Sequence, residues 1–197
     1  MRAAVFKAAG EPLAIEERPD PAPAPDEVVI RIGRCGICGS DLGMTERHAR
    51  TVPRGSVLGH EYAGEVVALG KEATRLKLGD RVTALPVRSC GRCAACLAGL
   101  PLHCAGGHFA FGGFAELIAA SEANCIALPA DLSLADGALV EPLAVGLHGV
   151  DLARPPIGAR ILILGAGPIG LTVAFWLHRF GHRRVAICAS STRNEAL

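Results

Sequence analysis

Residues 161–170 read Ile161-Leu-Ile-Leu-Gly165-Ala-Gly167-Pro168-Ile169-Gly170, an apolar run that stops on three glycines spaced G-x-G-x-x-G. That order predicts a continuous apolar strand over Ile161–Leu164, a tight turn, and a helix from Pro168 to Phe180. Val185–Ala189 then supplies a second strand, so the segment forms one βαβ unit. In this setting the first glycine permits the turn, the second lets a pyrophosphate approach the backbone, and the third packs helix against strand. The helix N-terminus adds unpaired N–H groups and a positive dipole end. Gly165, Gly167, Pro168, Ile169 and Gly170 are therefore candidate cofactor-binding residues, with a plain strand–turn–helix as the alternative.

The end of the second strand selects between cofactors. A dinucleotide site that holds free ribose hydroxyls carries an acidic residue there, yet no Asp or Glu occurs between Gly165 and Glu195. The chain reads Ala189-Ser190-Ser-Thr-Arg193 instead. Hydroxyls and a guanidinium suit a 2′-phosphate that a carboxylate would repel. Ser190 and Arg193 are accordingly read as contacts to NADP, which is expected over NAD.

Upstream, Pro155 and Pro156 mark a boundary, and the pattern before them is different. Short strands are predicted at Arg2–Phe6, Glu27–Ile32, Glu65–Leu69, Arg81–Leu85, Phe114–Ile118 and Cys125–Leu128, each near Gly, Pro or Asn. Pro19, Pro21, Pro23 and Pro25 make an extended connection that cannot donate to a ladder. A short helix is predicted near Gly39–Asp41. Ser133 with Asp136 three residues on opens another, mostly apolar through Val150. Such a pattern points to a β-rich domain.

Within it, Cys90, Cys93, Cys96 and Cys104 form C-x2-C-x2-C-x7-C on 15 residues. Four thiolates on one loop can wrap a tetrahedral ion with no other ligand, which predicts a closed structural zinc site. Gly91 and Gly99 allow the tight turns. An iron–sulfur cluster is the rival, but the ferredoxin run closes with a three-residue gap and a proline. Here Ala105 follows a gap of seven.

A second, open metal site is read from Cys35–Asp41 (CGICGSD), Gly59–Glu61 (GHE) and Glu141 within EPLAVGLH. Cys, His and carboxylate are the ligands of a catalytic zinc that keeps one position for water or substrate. His60 and Glu61 are adjacent, so in an extended segment they are expected on opposite sides, with His60 the ligand and Glu61 orienting it or waiting to exchange. Residue chemistry alone leaves other readings open: Cys35 and Cys38 as half of a zinc ribbon, and Glu141 as a solvated helix carboxylate. The apolar flanks Ala138–Val140 and Pro142–Val145 favour burial of Glu141.

Composition narrows the partners. With 20 Lys+Arg against 19 Asp+Glu in 197 residues, the net charge is +1, and nothing draws the chain to nucleic acid or an anionic membrane. One Trp, one Tyr and six Phe make a base-stacking platform unexpected. The longest uncharged stretch, Ile161–Leu177, is interrupted by three Gly and a Pro, so no membrane span is expected. No charged region followed by an apolar one opens the chain, so no secretory leader is expected either. Eight cysteines without such a leader predict a cytoplasmic protein whose thiols serve metal or catalysis.

Taken in this order, CGICGSD, GHE, the Cys90–Cys104 lobe, EPLAVGLH and GAGPIG resemble the zinc-dependent medium-chain dehydrogenase/reductase superfamily of alcohol, polyol and threonine dehydrogenases. The likeness covers essentially the whole chain. It implies a GroES-like β-rich catalytic domain over residues 1–150, followed over 151–197 by the first βαβ unit of an α/β Rossmann domain. It also implies two zinc ions per chain, NADP or NAD, a small alcohol or polyol substrate, and homo-oligomers among full-length relatives. By resemblance, Cys38, His60 and Glu141 are catalytic zinc ligands, and the four lobe cysteines hold the structural ion. Glu61 resembles the exchanging carboxylate, Ser40 the hydroxyl that takes the substrate proton, and Asp41 the carboxylate that holds the ligand histidine. Cys35, Cys125 and Cys188 have no implied role.

Two departures stand out. Many relatives carry a His two residues after the Asp of CGxSD, where this chain has Gly43, so proton release is expected to need water or another group. A Rossmann sheet orders six strands 3-2-1-4-5-6, and only the first two are present. The chain thus reads as the N-terminal part of a dehydrogenase, expected to bind zinc but to turn over alcohols poorly alone. The alternative is a zinc-binding remnant that pairs with a full-length relative through an open sheet edge.

Overall fold

The computed structural model describes residues 1–46 and 52–190. The chain forms two compact units, Met1–Leu139 and Val140–Leu197. In the first, β1 (Arg2–Val5) and β2 (Ala14–Glu17) make an antiparallel pair. The main sheet is built from β3 (Glu27–Gly36), β4 (Glu61–Leu69) and β5 (Arg81–Ala84), with α1 (Gly39–Thr45) between β3 and β4. The lobe follows: β6 (Val87–Arg88), α2 (Ala94–Leu97) and β7 (His108–Phe109), then β8 (Leu117–Ser121), β9 (Cys125–Ala127) and α3 (Leu134–Ala138).

The main sheet is ordered β8-β3-β4-β5-β9 and is antiparallel throughout. Alternate residues on its strands meet on one face, where Val28, Ile30, Tyr62, Val66, Val82, Ala84, Ile118 and Cys125 form a core cluster. β-Bulges at Val29/Ile30 and Ile32/Arg34 let β3 bend and run on to Gly36, opposite Glu61. Both strands are thereby longer than the sequence pattern predicts, and their joined ends deliver the second set of metal donors. β2, β6 and β7 are too short or too polar to carry a strand signal of their own.

In the second unit, α4 (Val140–Ala153) precedes β10 (Ile161–Leu164), α5 (Pro168–Arg179) and β11 (Val185–Cys188). β10 and β11 pair in parallel, as a βαβ unit requires. α4 packs against α5: the Trp176 indole donates to the Leu143 carbonyl at 2.7 Å, and a Cβ on Gly146 would lie 2.4 Å from Thr172 Oγ1. That packing groups residues 140–150 with the second unit, although their sequence pattern assigned them to the β-rich part. No helix among the described residues is long and apolar enough to cross a membrane.

Candidate metal and cofactor sites

The lobe brings the sulfurs of Cys90, Cys93, Cys96 and Cys104 within 4.8 Å of one another. Cys93 caps α2, whose single turn supplies Cys96, and a 3-10 turn over Pro101–His103 delivers Cys104. Gly91 and Gly99 take the left-handed φ values, +67° and +75°, expected of them. The sulfurs of Cys90 and Cys96 are 3.9 Å apart, and those of Cys93 and Cys96 3.5 Å. A tetrahedron with metal–sulfur bonds of about 2.3 Å has edges of about 3.8 Å, so these two pairs stand near zinc spacing and the other sulfurs lie within 4.8 Å. The Arg92 and Cys93 N–H groups lower Cys90 to about 6. Cys93 rises to about 11: the Cys96 N–H favours its thiolate, but hydrogen bonding to the neighbouring thiols and desolvation outweigh it. Crowded sulfurs cannot all ionise without a cation among them.

The second cluster joins Cys38, His60 and Glu61, whose donor atoms also lie within 4.8 Å of one another. Cys38 is the N-cap residue of α1. Asp41, buried in the first turn, accepts the Cys38 N–H through Oδ2 at 3.0 Å and the Gly59 N–H through Oδ1 at 3.1 Å. Its Oδ1 also stands 3.6 Å from His60 Nδ1. Burial alone would raise the Asp41 carboxyl, but the His60 ring and the two N–H groups hold it below its ordinary range. One carboxylate thus ties together two donors that lie 22 positions apart in the chain.

His60 and Glu61 do not point to opposite sides. Gly59 takes φ +84° and His60 precedes the first residue of β4, so the alternation of a regular strand does not govern the pair. Glu61 lies across from Gly36, where a Cβ would come within 2.2 Å of Glu61 Oε2. The missing side chain at Gly36 is the space that the carboxylate fills, and both His60 and Glu61 are buried.

Ser40 is exposed on the first turn of α1. Glu141 stands in the first turn of α4, in the second unit. A residue absent from the sequence reading is Phe111: its ring meets His60 edge-on, centroids 5.7 Å apart, and stacks on Phe109 at 6.2 Å. The signal was available as Phe109-Ala-Phe111-Gly-Gly, two aromatics directly after the lobe in a chain poor in them.

At the glycine turn, Gly165 takes φ +111°, Gly167 caps α5 and Pro168 occupies its first turn. A Cβ at Gly170 would lie 2.0 Å from the Gly165 carbonyl oxygen, whereas at Gly165 and Gly167 it would meet nothing within 4 Å. The turn is therefore closed on its helix side and open at the two positions where a pyrophosphate approaches, a fit to a dinucleotide. Ile169 is partly exposed beside it. Ser190 is exposed just beyond β11, and Arg193 lies outside the described residues.

Comparison with known proteins places these features. The alcohol dehydrogenase GroES-like domain model matches residues 24–130. An L-threonine 3-dehydrogenase of Saccharopolyspora erythraea is 38% identical over 194 residues, covering 95% of this chain and 56% of that protein. The crystal structure of galactitol-1-phosphate dehydrogenase from Escherichia coli superposes with a TM-score of 0.89 at 34% identity, covering 100% of this chain and 57% of the other. A Sinorhizobium meliloti protein solved bound to NADP superposes at 0.87 with 32% identity, covering 99% and 58%. The chain spans just over half the length of these relatives. It belongs to the GroES-like alcohol dehydrogenase family, within the zinc-dependent medium-chain dehydrogenase/reductase superfamily.

Proposed function

We propose that this chain carries the zinc-dependent catalytic part of an oxidoreductase that moves a hydride between an alcohol or polyol and a nicotinamide dinucleotide, with NADP preferred over NAD. The observation that carries the reading is the convergence of Cys38, His60 and Glu61 on a chain that also holds an open G-x-G-x-x-G turn. Zinc at these donors supplies Lewis-acid polarisation of the substrate oxygen, and NADP the acceptor for the hydride.

The chain's own residues do the positioning. Cys38 and His60 offer a thiolate and an imidazole, and Asp41 holds both in place. Glu61 supplies the second-shell or exchanging carboxylate beside them, and family resemblance makes Glu141 the third ligand. Ser40, exposed beside the donors' helix start, accepts the substrate's hydroxyl proton and passes it to water, since Gly43 offers no imidazole. The Gly165–Gly170 turn receives the pyrophosphate, Ser190 and Arg193 the 2′-phosphate. The four lobe cysteines hold a second, structural zinc. Thiols kept for metal fit a reducing, cytoplasmic setting.

Elemental analysis of protein never exposed to chelator tests the proposal. Two zinc ions per chain are expected, with one lost in Cys38→Ser and the other in Cys96→Ser. NADPH should bind more tightly than NADH, and Arg193→Ala should abolish that difference. A single zinc that Cys38→Ser leaves in place, or iron in the lobe, would overturn the reading.

A further inference from the structure

An aromatic wall stands beside the donor His60. The Phe111 ring meets the imidazole edge-on and is backed by Phe109, the two rings inclined by only 20°. Neither belongs to the core: Phe109 is 61% exposed and Phe111 37%. Large exposed aromatics cost free energy in water unless something covers them.

Their position is fixed by the backbone. Phe109 ends β7, paired with Val87. The next N–H, from Ala110, donates to the Pro86 carbonyl at 3.0 Å. Gly112 and Gly113 both donate to the Gly59 carbonyl, at 3.1 and 2.9 Å. Phe111 is thus clamped on both flanks, on one side to the residue that immediately precedes His60. A Cβ at Gly113 would lie 2.7 Å from Cys35 Sγ, so this segment comes as close as it does only because glycine is there. With the backbone fixed on both sides of Phe111 and its ring edge-on to a metal donor, the half-open ring forms a wall there.

We propose that Phe111, with Phe109 behind it, determines specificity by selecting alcohols that carry an apolar substituent on the carbinol carbon over polyhydroxylated chains. The proposal rests on the metal-dependent alcohol chemistry argued above. A hydroxyl laid on a phenyl ring gives up water and receives no hydrogen bond. An alkyl or aryl group at the same place buries apolar surface together with the ring. The wall therefore discriminates against the second hydroxyl of a polyol while leaving the reacting one to the metal donors.

Saturation-transfer NMR on the zinc-loaded full chain tests this, with 2-hexanol and sorbitol as probes and zinc content measured for each variant. The expected result is 2-hexanol binding tighter by about tenfold or more, the scale on which an apolar pocket discriminates. Phe111→Ala should weaken 2-hexanol by about the same factor and leave sorbitol unchanged, and Phe111→Leu should restore most of the loss. Should Phe111→Ala shed zinc, the wild-type preference and Phe111→Leu decide alone. Sorbitol binding at least as tightly as 2-hexanol, or indifference of both to residue 111, would overturn this inference while the alcohol reading stands, provided binding is lost in Cys38→Ser. Binding of neither probe to protein that holds two zincs would overturn both.

Discussion

The carboxylate of Glu61 occupies the space in which Gly36, its partner across the β3–β4 ladder, would carry a Cβ; the two would be 2.2 Å apart. Backbone on one strand therefore sets where a donor on the next strand sits. Gly36→Ala should push Glu61 out of the cluster. We expect about 1–3 kcal/mol lower stability from the overpacking and roughly 10–100-fold weaker zinc binding at the Cys38 site, with the lobe ion retained. Chelator competition followed by zinc analysis measures both ions.

Asp41→Asn keeps the shape of the tie between Cys38 and Gly59 but removes its charge. One of the two N–H groups that Asp41 accepts would then face an amide NH2. The expected outcome is a loss of about 10–100-fold in zinc affinity at this site, with little change in the circular dichroism of the sheet. Unaltered affinity would show that His60 is oriented by something else.

Glu122, buried beside the main sheet, accepts the N–H groups of Thr74, Arg75 and Leu76 at 3.1, 2.8 and 2.8 Å. Burial works to raise its pKa, but these three donors and the Arg75 charge lower it below the ordinary 4.5. A depressed carboxylate contributes stability that is complete above the unfolded value and fades as pH falls through the folded one. Glu122→Gln should cost about 1–3 kcal/mol at neutral pH and flatten the loss of stability below about pH 4.5. Denaturant titrations at neutral and acid pH compare the two chains.

Cys125 supplies the alkaline counterpart. Burial in the core pushes its thiol from 9.0 up to about 12. Between those values the native chain keeps the proton and the unfolded chain releases it, so stability falls as pH rises. The slope from this group approaches about 1.4 kcal/mol per pH unit. Cys125→Ala should be less stable at neutral pH yet show a shallower decline above pH 9, and iodoacetamide should leave the native Cys125 unmodified while it labels the exposed Cys188. Rapid labelling of Cys125 in folded protein would contradict its burial.

What could be read from the sequence follows chain proximity. The four lobe cysteines lie within 15 residues, and Gly165–Gly170 within six, so spacing alone defines each geometry. Cys38 and His60 are recognisable as donors from their motifs, whereas the role of Asp41, on which their convergence depends, comes only from the family resemblance. Glu61 is placed at the site by its motif, but its turn to the same side as His60 runs against the alternation of a strand. That turn depends on the φ of Gly59 and on pairing with Gly36, 25 positions away. Phe111 escaped for a related reason: an aromatic reads as core until the clamp to Gly59 is seen. Alternation understates the limits of β3 and β4 because bulges carry the ladder past the point where it stops.

The pairing of Val87–Arg88 with His108–Phe109 brings both ends of the cysteine lobe to adjacent rungs of one short ladder. Everything between them is an excursion that leaves the β6–β7 ladder and returns to the place it left. Such a neck makes the lobe a cassette: its length and even its metal can change during evolution while the register of the main sheet stays as it is. What a change there would disturb is the tether downstream, since the strand that closes the neck is the one that carries Phe109.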